Sequence, residues 1–111
     1  MNVETTAEAG TTVVRVGGEV DMNSAPELRN ALRSAIDAGV PTLHVHLGAV
    51  TYMDSAGIAV LIEGLQWSKR QSVDYALTAM PHAVRVVVEL ARLDTVFTIL
   101  PGPDAPGADG A

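Results

Sequence analysis

The side chains best suited to chemistry in this chain are an aspartate and a serine that stand together in front of a helical pattern. Asp54 and Ser55 are followed at once by Ala56 and Gly57. The start of a helix offers free backbone N–H groups and the positive end of the helix dipole, so a phosphate placed there meets donors that already point at it. Gly57 has no side chain, and we expect it to let another chain approach closely. The pair therefore indicates a modification site at Ser55 or, more simply, a helix N-cap at Asp54 or Ser55.

Other reactive constellations find little support in the sequence. The nucleophile elbow of a hydrolase needs the pattern Gly-x-Ser-x-Gly, and Met53 occupies the position of its first glycine. His44 and His46 share one face of a predicted strand, but one pair of histidines lacks the further ligands of a stable zinc site. The chain has no cysteine, which excludes disulfides and thiolate metal sites. We therefore expect no catalytic residue, no metal site and no cofactor.

The composition is that of a single acidic domain. The 111 residues fit one domain, 48% of them are hydrophobic, and the formal charge is −6 at pH 7. A net negative surface repels the phosphate backbone on which nucleic-acid binding depends, so neither DNA nor RNA is expected as a partner. No stretch approaches the roughly 18 apolar residues of a membrane span, and the N-terminus lacks the basic and then apolar pattern of a secretory signal. The sequence therefore predicts a cytoplasmic protein with no membrane partner.

Strand and helix patterns alternate along the chain. Strands are predicted at residues 3–6, 12–16, 42–47, 75–78 and 96–99, and helices at residues 25–38, 55–71 and 81–91. The order β-β-α-β-α-β-α-β predicts an α/β fold, in which helices pack against a small mixed sheet whose central strands are largely parallel. Residues 101–111 contain proline, glycine and no large apolar side chain, so they are predicted to form a disordered tail.

Local signals indicate where several of these elements end. Gly17 and Gly18 are expected to end the second strand in a turn, and residues 48–53 are expected to form a short connection after the third. Ser24, followed three residues later by Glu27, is the signature of a capping box at the start of the first helix.

The second helix is predicted to have a buried face and an exposed one. Its buried stripe consists of Ile58, Leu61, Ile62 and Leu65. The opposite face carries Glu63 and Trp67, the only tryptophan of the chain. An exposed tryptophan is typical of a partner contact, because aromatic residues are enriched at binding hot spots. The alternative is that Trp67 is a partly buried packing residue.

Four segments, in this order, resemble the STAS domain and, within that family, the small stand-alone anti-sigma factor antagonists. They are Gly18-Glu19-Val20-Asp21, Leu43-His44-Val45-His46-Leu47 leading to Val50, Tyr52-Met53-Asp54-Ser55-Ala56-Gly57-Ile58, and Pro81-His82-Ala83-Val84-Arg85 with Leu90-Ala91-Arg92-Leu93-Asp94. The third segment is the most specific of them. The resemblance covers about residues 10–100 and implies a single STAS domain over residues 1–100.

The resemblance implies a protein-binding switch without catalysis of its own. In such antagonists the serine of the Asp-Ser-x-Gly motif is phosphorylated by the partner, an anti-sigma factor that is also an ATP-dependent serine kinase. The unphosphorylated antagonist binds the anti-sigma factor and frees a sigma factor. The phosphorylated antagonist dissociates from the anti-sigma factor, and a phosphatase then removes the phosphate. Carried over to this chain, the phosphoacceptor is Ser55, and its neighbours are Asp21, Asp54 and Gly57. The expected partner-binding residues are Ser24, Met53, Ala56, Ile58, Glu63 and Trp67.

Two departures from the family pattern and one alternative function accompany this resemblance. His46 stands where the family usually has Asp or Asn, so hydrogen bonding near the site is expected to differ. Gln71 and Ser72 replace the usual glycine after the second helix. The alternative function is that of a STAS scaffold subunit in a transporter-associated or stress-sensing complex, where Ser55 would be only a helix cap. The nearly complete acceptor motif and the stand-alone length favour the switch.

Overall fold

The computed structural model describes residues 1–101 and has five strands and three helices in the predicted order. The strands are β1 Asn2–Glu8, β2 Thr11–Val20, β3 Thr42–Met53, β4 Asp74–Thr78 and β5 Ile99–Leu100, and the helices are α1 Ala25–Asp37, α2 Ser55–Arg70 and α3 His82–Leu90. The disordered tail predicted for residues 101–111 falls, from residue 102 onward, outside the described residues.

The five strands form one mixed sheet in which the strand order follows the chain order, β1-β2-β3-β4-β5. β1 pairs with β2 in the antiparallel sense, and every later neighbour pairs in parallel. Because crossovers between parallel strands are right-handed, a sheet built in this order receives all three helices on the same face. The predicted α/β fold with a small mixed sheet is therefore confirmed.

The hydrophobic core lies between the sheet and the helices. Fully buried members come from every layer, namely Leu28, Leu32, Val45, Leu61, Leu77, Val84 and Val88. Tyr75 is a large polar side chain buried in the core, and its hydroxyl donates to the Leu61 carbonyl at 3.0 Å. Burial raises the pKa of the Tyr75 phenol, so the group stays protonated and can make this bond. The bond joins β4 to the helix that begins at the candidate site.

β2 and β3 each run four or more residues past their predicted ends, and both extensions reach the candidate site. β2 does not end at Gly17 and Gly18, because the chain passes through them with a shift in register and continues to Val20. Gly18 has φ +83°, a conformation that glycine adopts without strain. The pair is thus a bulge rather than a turn. β3 likewise runs through residues 48–53, where a connection was predicted.

Two smaller predictions about buried residues and strand ends are also corrected. The predicted last strand, residues 96–99, shrinks to Ile99–Leu100, because the backbone N–H groups of Val96 and Phe97 both bond to the Leu93 carbonyl in a turn. On α2, Val60 and Gly64 are buried, whereas the predicted stripe members Ile62 and Leu65 are only partly buried.

Candidate phosphoacceptor site

The site lies where two parallel strands end at the same edge of the sheet. Val20, the last residue of β2, is the Cα partner of Met53, the last residue of β3. The backbone N–H of Asp54 donates to the Val20 carbonyl at 3.1 Å, which ties the start of α2 to the end of β2. Asp21 and Asp54 therefore leave the sheet on neighbouring strands.

Asp54 is the N-cap of α2. Its backbone is extended, with φ −102° and ψ −171°, and its Oδ1 accepts from the backbone N–H of Ala56 at 2.9 Å. The first intrahelical bond runs from the Ile58 N–H to the Asp54 carbonyl at 3.2 Å. The aspartate thus occupies the cap position that the sequence left open between the two residues, and Ser55 is the first residue of the helix.

Ser55 presents its hydroxyl to solvent at the positive end of a 16-residue helix. The side chain is exposed and makes no hydrogen bond to the residues that the structure describes. The N–H groups of Ser55 and Gly57 precede the first intrahelical bond, so the helix itself gives them no acceptor. The first turn also contains no acidic side chain. A phosphate on Ser55 would meet backbone donors there without a like charge from within the helix.

Asp21 forms a compact turn in front of α1. Its Oδ1 accepts from the backbone N–H groups of Asn23 at 2.9 Å and Ser24 at 3.0 Å, and from the Ser24 hydroxyl at 3.2 Å. These bonds favour the charged form, with the backbone bond from Ser24 contributing most, and they hold the pKa of Asp21 below its ordinary value. Asp21 therefore places a fixed negative charge at the edge of the sheet where Asp54 caps α2.

The predicted capping box at Ser24 is absent. The Ser24 side chain turns back toward β2, where its oxygen accepts from the Asp21 N–H at 2.9 Å, and its single hydroxyl proton is shared between the Glu19 carbonyl at 3.0 Å and Asp21 Oδ1. It makes no side-chain cap bond to α1. Ser24 is half-buried in this turn, so its hydroxyl holds the Asp21 turn in shape.

Gly57 is required by packing inside the chain, which corrects the expectation that it admits another chain. The residue is buried, and a Cβ built on it would lie 2.6 Å from the Met53 Cγ and 2.9 Å from the Val20 Cγ1. Both distances are shorter than real Cβ contacts. The missing side chain lets the first turn of α2 press against the ends of β2 and β3, which holds Ser55 in place at the edge.

Two of the predicted partner contacts are buried and are corrected here. Met53 is 3% exposed and Ile58 is 6% exposed, and both belong to the core. The Met53 side chain points inward because this last residue of β3 faces the core. The Ile58 side chain points inward because it lies on the buried face of α2, one turn from the start of the helix. They anchor the site to the core and do not form its surface.

The other predicted contacts on α2 lie at or near the surface. Ala56 is half-buried in the first turn. Glu63 pairs with Arg29 of α1 at 2.9 Å. The Arg33 guanidinium of α1 lies over the Trp67 ring, 4.8 Å from the ring centroid. Trp67 is only partly buried. These two α2 residues therefore form a surface that is shared with α1.

Sequence reasoning missed two exposed apolar side chains beside the site. Met22, directly after Asp21, is 76% exposed, and Tyr52, directly before Met53, is 49% exposed. Alternation along β3 would have revealed Tyr52 if the strand had been extended to its true end, because Met53 points inward and its neighbour must then point outward. Met22 had no periodic signal, since it lies in the turn between β2 and α1.

Two further properties concern the described residues as a whole. No group of three or more His, Asp or Glu side chains within residues 1–101 is arranged to hold a metal ion. Among the three helices of that range, none has both the length and the apolar character needed to cross a membrane.

Comparison with known proteins shows a family and several relatives. A family model described as Mlab, STAS domain matches residues 3–101. An anti-sigma-B factor antagonist of Staphylococcus aureus is 26% identical to this chain over 104 residues, which make up 94% of this chain and 96% of that protein.

Solved structures show the same architecture. An anti-sigma factor antagonist from Mycobacterium paratuberculosis superposes with a TM-score of 0.85 at 28% identity, covering 93% of this chain and 87% of that one. The Bacillus cell fate determinant SpoIIAA in its phosphorylated form superposes with a TM-score of 0.73 at 18% identity, covering 93% of each chain. This second likeness concerns the fold alone.

Proposed function

The chain belongs to the STAS domain family, as its sequence motifs predicted, and we propose that it is an anti-sigma factor antagonist whose partner binding is switched off by phosphorylation of Ser55. The unphosphorylated chain binds an anti-sigma factor that is also an ATP-dependent serine kinase, and a sigma factor is released. That kinase phosphorylates Ser55, a phosphatase removes the phosphate, and the chain itself catalyses nothing. The observation that carries the proposal is the exposed Ser55 hydroxyl at the first position of α2, next to the Asp54 cap.

The fold can accept the phosphate. A phosphoserine carries about −1.5 to −2 charges at pH 7. At Ser55 this charge lies at the positive end of α2, where the N–H groups of Ser55 and Gly57 have no intrahelical acceptor. The cap bond from Ala56 to Asp54 does not involve the Ser55 side chain. We therefore expect the phosphorylated chain to remain folded.

A bound partner cannot accept the phosphate as easily. The new charge would lie next to Asp54 and at the same sheet edge as Asp21, whose lowered pKa keeps it ionised. In an interface these like charges would have to lose water together. That cost readily exceeds the roughly 1–3 kcal/mol of a single lost buried hydrogen bond. Binding is thus lost while the fold is kept.

The proposed docking area, which we call the switch surface, combines residues that the sequence predicted with two that it missed. It consists of Met22, Tyr52, Ser55, Ala56, Glu63 and Trp67. Its centre is the Ser55 hydroxyl, with exposed apolar side chains from the β2–α1 turn and from β3 beside it. A contact of standard size would bury about 800 Å² on this chain.

The direct test is binding to the candidate serine kinases of the host, measured by calorimetry before and after addition of ATP. We expect the wild-type chain to bind one of them and to be released by ATP. Ser55→Ala should bind and stay bound, whereas Thr51→Ala, which removes an exposed hydroxyl four residues away, should be released like the wild type. Release of Ser55→Ala by ATP, or loss of cooperative melting in the phosphorylated chain, would show the proposal to be wrong.

A constitutive STAS scaffold subunit is the second candidate function. It is favoured by one observation, which is that Asp54 already caps α2, so the site is complete without modification. A scaffold would bind its partner complex equally well as wild type and as Ser55→Glu. The switch predicts that Ser55→Glu binds more weakly, so the two functions differ in this single comparison.

A further inference from the structure

Helix α3 carries apolar side chains on two of its sides. Val84 and Val88 point into the core and are fully buried. On the other side Ala83, Val86 and Leu90 are exposed, and Leu90 is 80% exposed. These three residues follow the spacing i, i+3 and i+7, which places them in one row along a helix. We call this row the α3 face. It contains none of the residues of the switch surface.

An ion pair runs along one flank of the α3 face. The Arg85 Nη1 and the Glu89 Oε2, one helical turn apart, are separated by 3.8 Å. The separation is long and both side chains are half-exposed, so the pair contributes little within a single chain. Arg85 lies two residues before Val87, and Glu89 lies two residues after it. In two antiparallel helices the same flanks meet, so a two-fold axis at the level of Val87 would bring the Arg85 of one copy to the Glu89 of the other.

The same axis also matches the apolar row. In two antiparallel copies of α3, Val86 lies beside its own counterpart, and Leu90 of one copy faces Ala83 of the other. A large side chain then lies against a small one, which allows the two helices to pack closely. An interface with two-fold symmetry must use one patch that is complementary to itself. The α3 face meets this condition both in the sizes of its side chains and in its charges.

The segment around α3 is neutral in a chain that is acidic as a whole. Residues 81–100 contain two arginines, one glutamate and one aspartate, whereas the whole chain has a formal charge of −6. Two copies of an acidic protein repel each other least where the local charge is zero. The edge strand β1, by contrast, carries Glu4 and Glu8 and no basic residue. The distribution of charge therefore favours α3 over β1 as the side on which a second copy approaches.

We propose that the chain forms a two-fold dimer in which α3 packs antiparallel against α3 of a second copy. The helix has only nine residues, so the contact is smaller than the roughly 800 Å² per partner of a standard interface. We therefore expect a weak dimer, with a dissociation constant on the order of 100 µM. The dimer goes beyond the proposed function and needs neither the kinase nor a phosphate, so either one can fail while the other stands.

The test is sedimentation equilibrium of the full chain at concentrations from roughly 10 µM to 1 mM, a range that brackets a weak dimer. We expect the average mass to rise from one copy toward two. Leu90→Ser should weaken association by about tenfold or more, as truncation at a hot spot does. Met22→Ser is the matched control, because Met22 is 76% exposed but lies on the switch surface. The proposal is overturned if the wild type stays monomeric throughout, or if both variants weaken association equally.

A charge exchange tests the antiparallel arrangement itself. Arg85→Glu and Glu89→Arg, each checked for a cooperative melt, place like charges opposite one another in the dimer, so each should associate about tenfold more weakly than the wild type. Mixed in equal amounts, the two variants should dimerise with each other, because every facing pair then joins opposite charges. A mixture that associates no better than either variant alone would overturn the proposed pairing. A monomeric chain in which Leu90→Ser weakens kinase binding would overturn it as well and assign the α3 face to the kinase.

Discussion

Asp54 and Ser55 are neighbours in the chain, but the helix uses them for different purposes. The Asp54 carboxylate accepts a hydrogen bond from the backbone of α2, whereas the Ser55 hydroxyl makes no hydrogen bond to the described residues. If the serine were the cap, its oxygen would be engaged with the helix and less accessible to a kinase. This division lets a structural cap and the proposed phosphoacceptor be adjacent residues.

The cap makes a measurable contribution to stability. Asp54→Ala removes the bond to the Ala56 N–H and should lower the free energy of unfolding by about 1 kcal/mol, measured by urea denaturation. Asp94→Ala provides the control, because Asp94 is exposed and lies in a turn far along the chain. Its substitution should change the value by less than about 0.5 kcal/mol. Equal effects of the two substitutions would contradict the cap assignment.

Asp21 should make stability depend on pH in the acid range. Its pKa is lower in the folded chain than in the unfolded one, so its stabilising contribution is complete above the unfolded value, about 3.9, and is lost as pH falls through the folded value. We expect the wild type to be more stable than Asp21→Asn at pH 7, and the difference to shrink below about pH 4. Denaturation curves at pH 7, 5 and 3 measure it. A difference that stays constant over this range would mean that the charge of Asp21 is not involved.

At the scale of secondary-structure elements, α2 is held by its close approach to two strand ends and by a line of contacts with α1. Glu63 meets Arg29 at 2.9 Å, Trp67 meets Arg33, and Gln71 donates to Asp37 at 3.2 Å. These are exposed contacts one helical turn apart, and each is worth about 1 kcal/mol or less. Together they fix the register of α1 against α2. They leave the main stabilisation of α2 to its buried face, which begins with the contact of Gly57 with Met53 and Val20.

Gly57→Ala tests that buried contact. The added methyl group would lie 2.6 Å from Met53 and 2.9 Å from Val20, so we expect a loss of about 1–3 kcal/mol, although alanine is the better helix former. Combining Gly57→Ala with Met53→Ala should recover part of that loss, because the shortened side chain makes room. Thermal and urea unfolding of the four combinations form a double-mutant cycle. If the effects of the two substitutions were simply additive, the two positions would not be in contact.

The order of elements was predictable because the spacing of apolar residues along the sequence differs between helices and strands that bury one face. The ends of the elements near the site were harder to predict, for a physical reason. Gly17 and Gly18 have the composition of a turn, but pairing with β3 on one side and β1 on the other carries them through as a bulge. The burial of Met53 and of Gly57 depends on how α2 meets β2, a tertiary contact that no local pattern contains.

At the scale of the whole molecule, the sheet separates two surfaces. The carboxyl-terminal edge of β2 and β3 carries the proposed switch surface, and the face away from the helices carries a cavity whose lining includes Arg15, His44 and Thr78. Phosphorylation at the edge changes charge without touching the core. On the proposed function, this one-domain protein would therefore release its partner without a change of fold.

Exposed apolar side chains on the switch surface should matter more than equally exposed ones elsewhere. We expect Tyr52→Ala and Met22→Ala each to weaken anti-sigma factor binding by about tenfold or more, as truncation at a hot spot does. Leu90→Ala is the control, because Leu90 is 80% exposed but lies at the end of α3. Calorimetry with the kinase that binds the wild-type chain measures all three. Weaker binding by Leu90→Ala alone would move the docking area to α3.

The most direct test of the phosphorylation switch is the intact mass of the chain purified from its own host, with Ser55→Ala purified in parallel. The switch predicts a species heavier by one phosphate in the wild type and none in Ser55→Ala, with its fraction changing with growth condition. No phosphate under any condition, or the same added mass on Ser55→Ala, would contradict the switch and leave Ser55 as an ordinary first residue of α2.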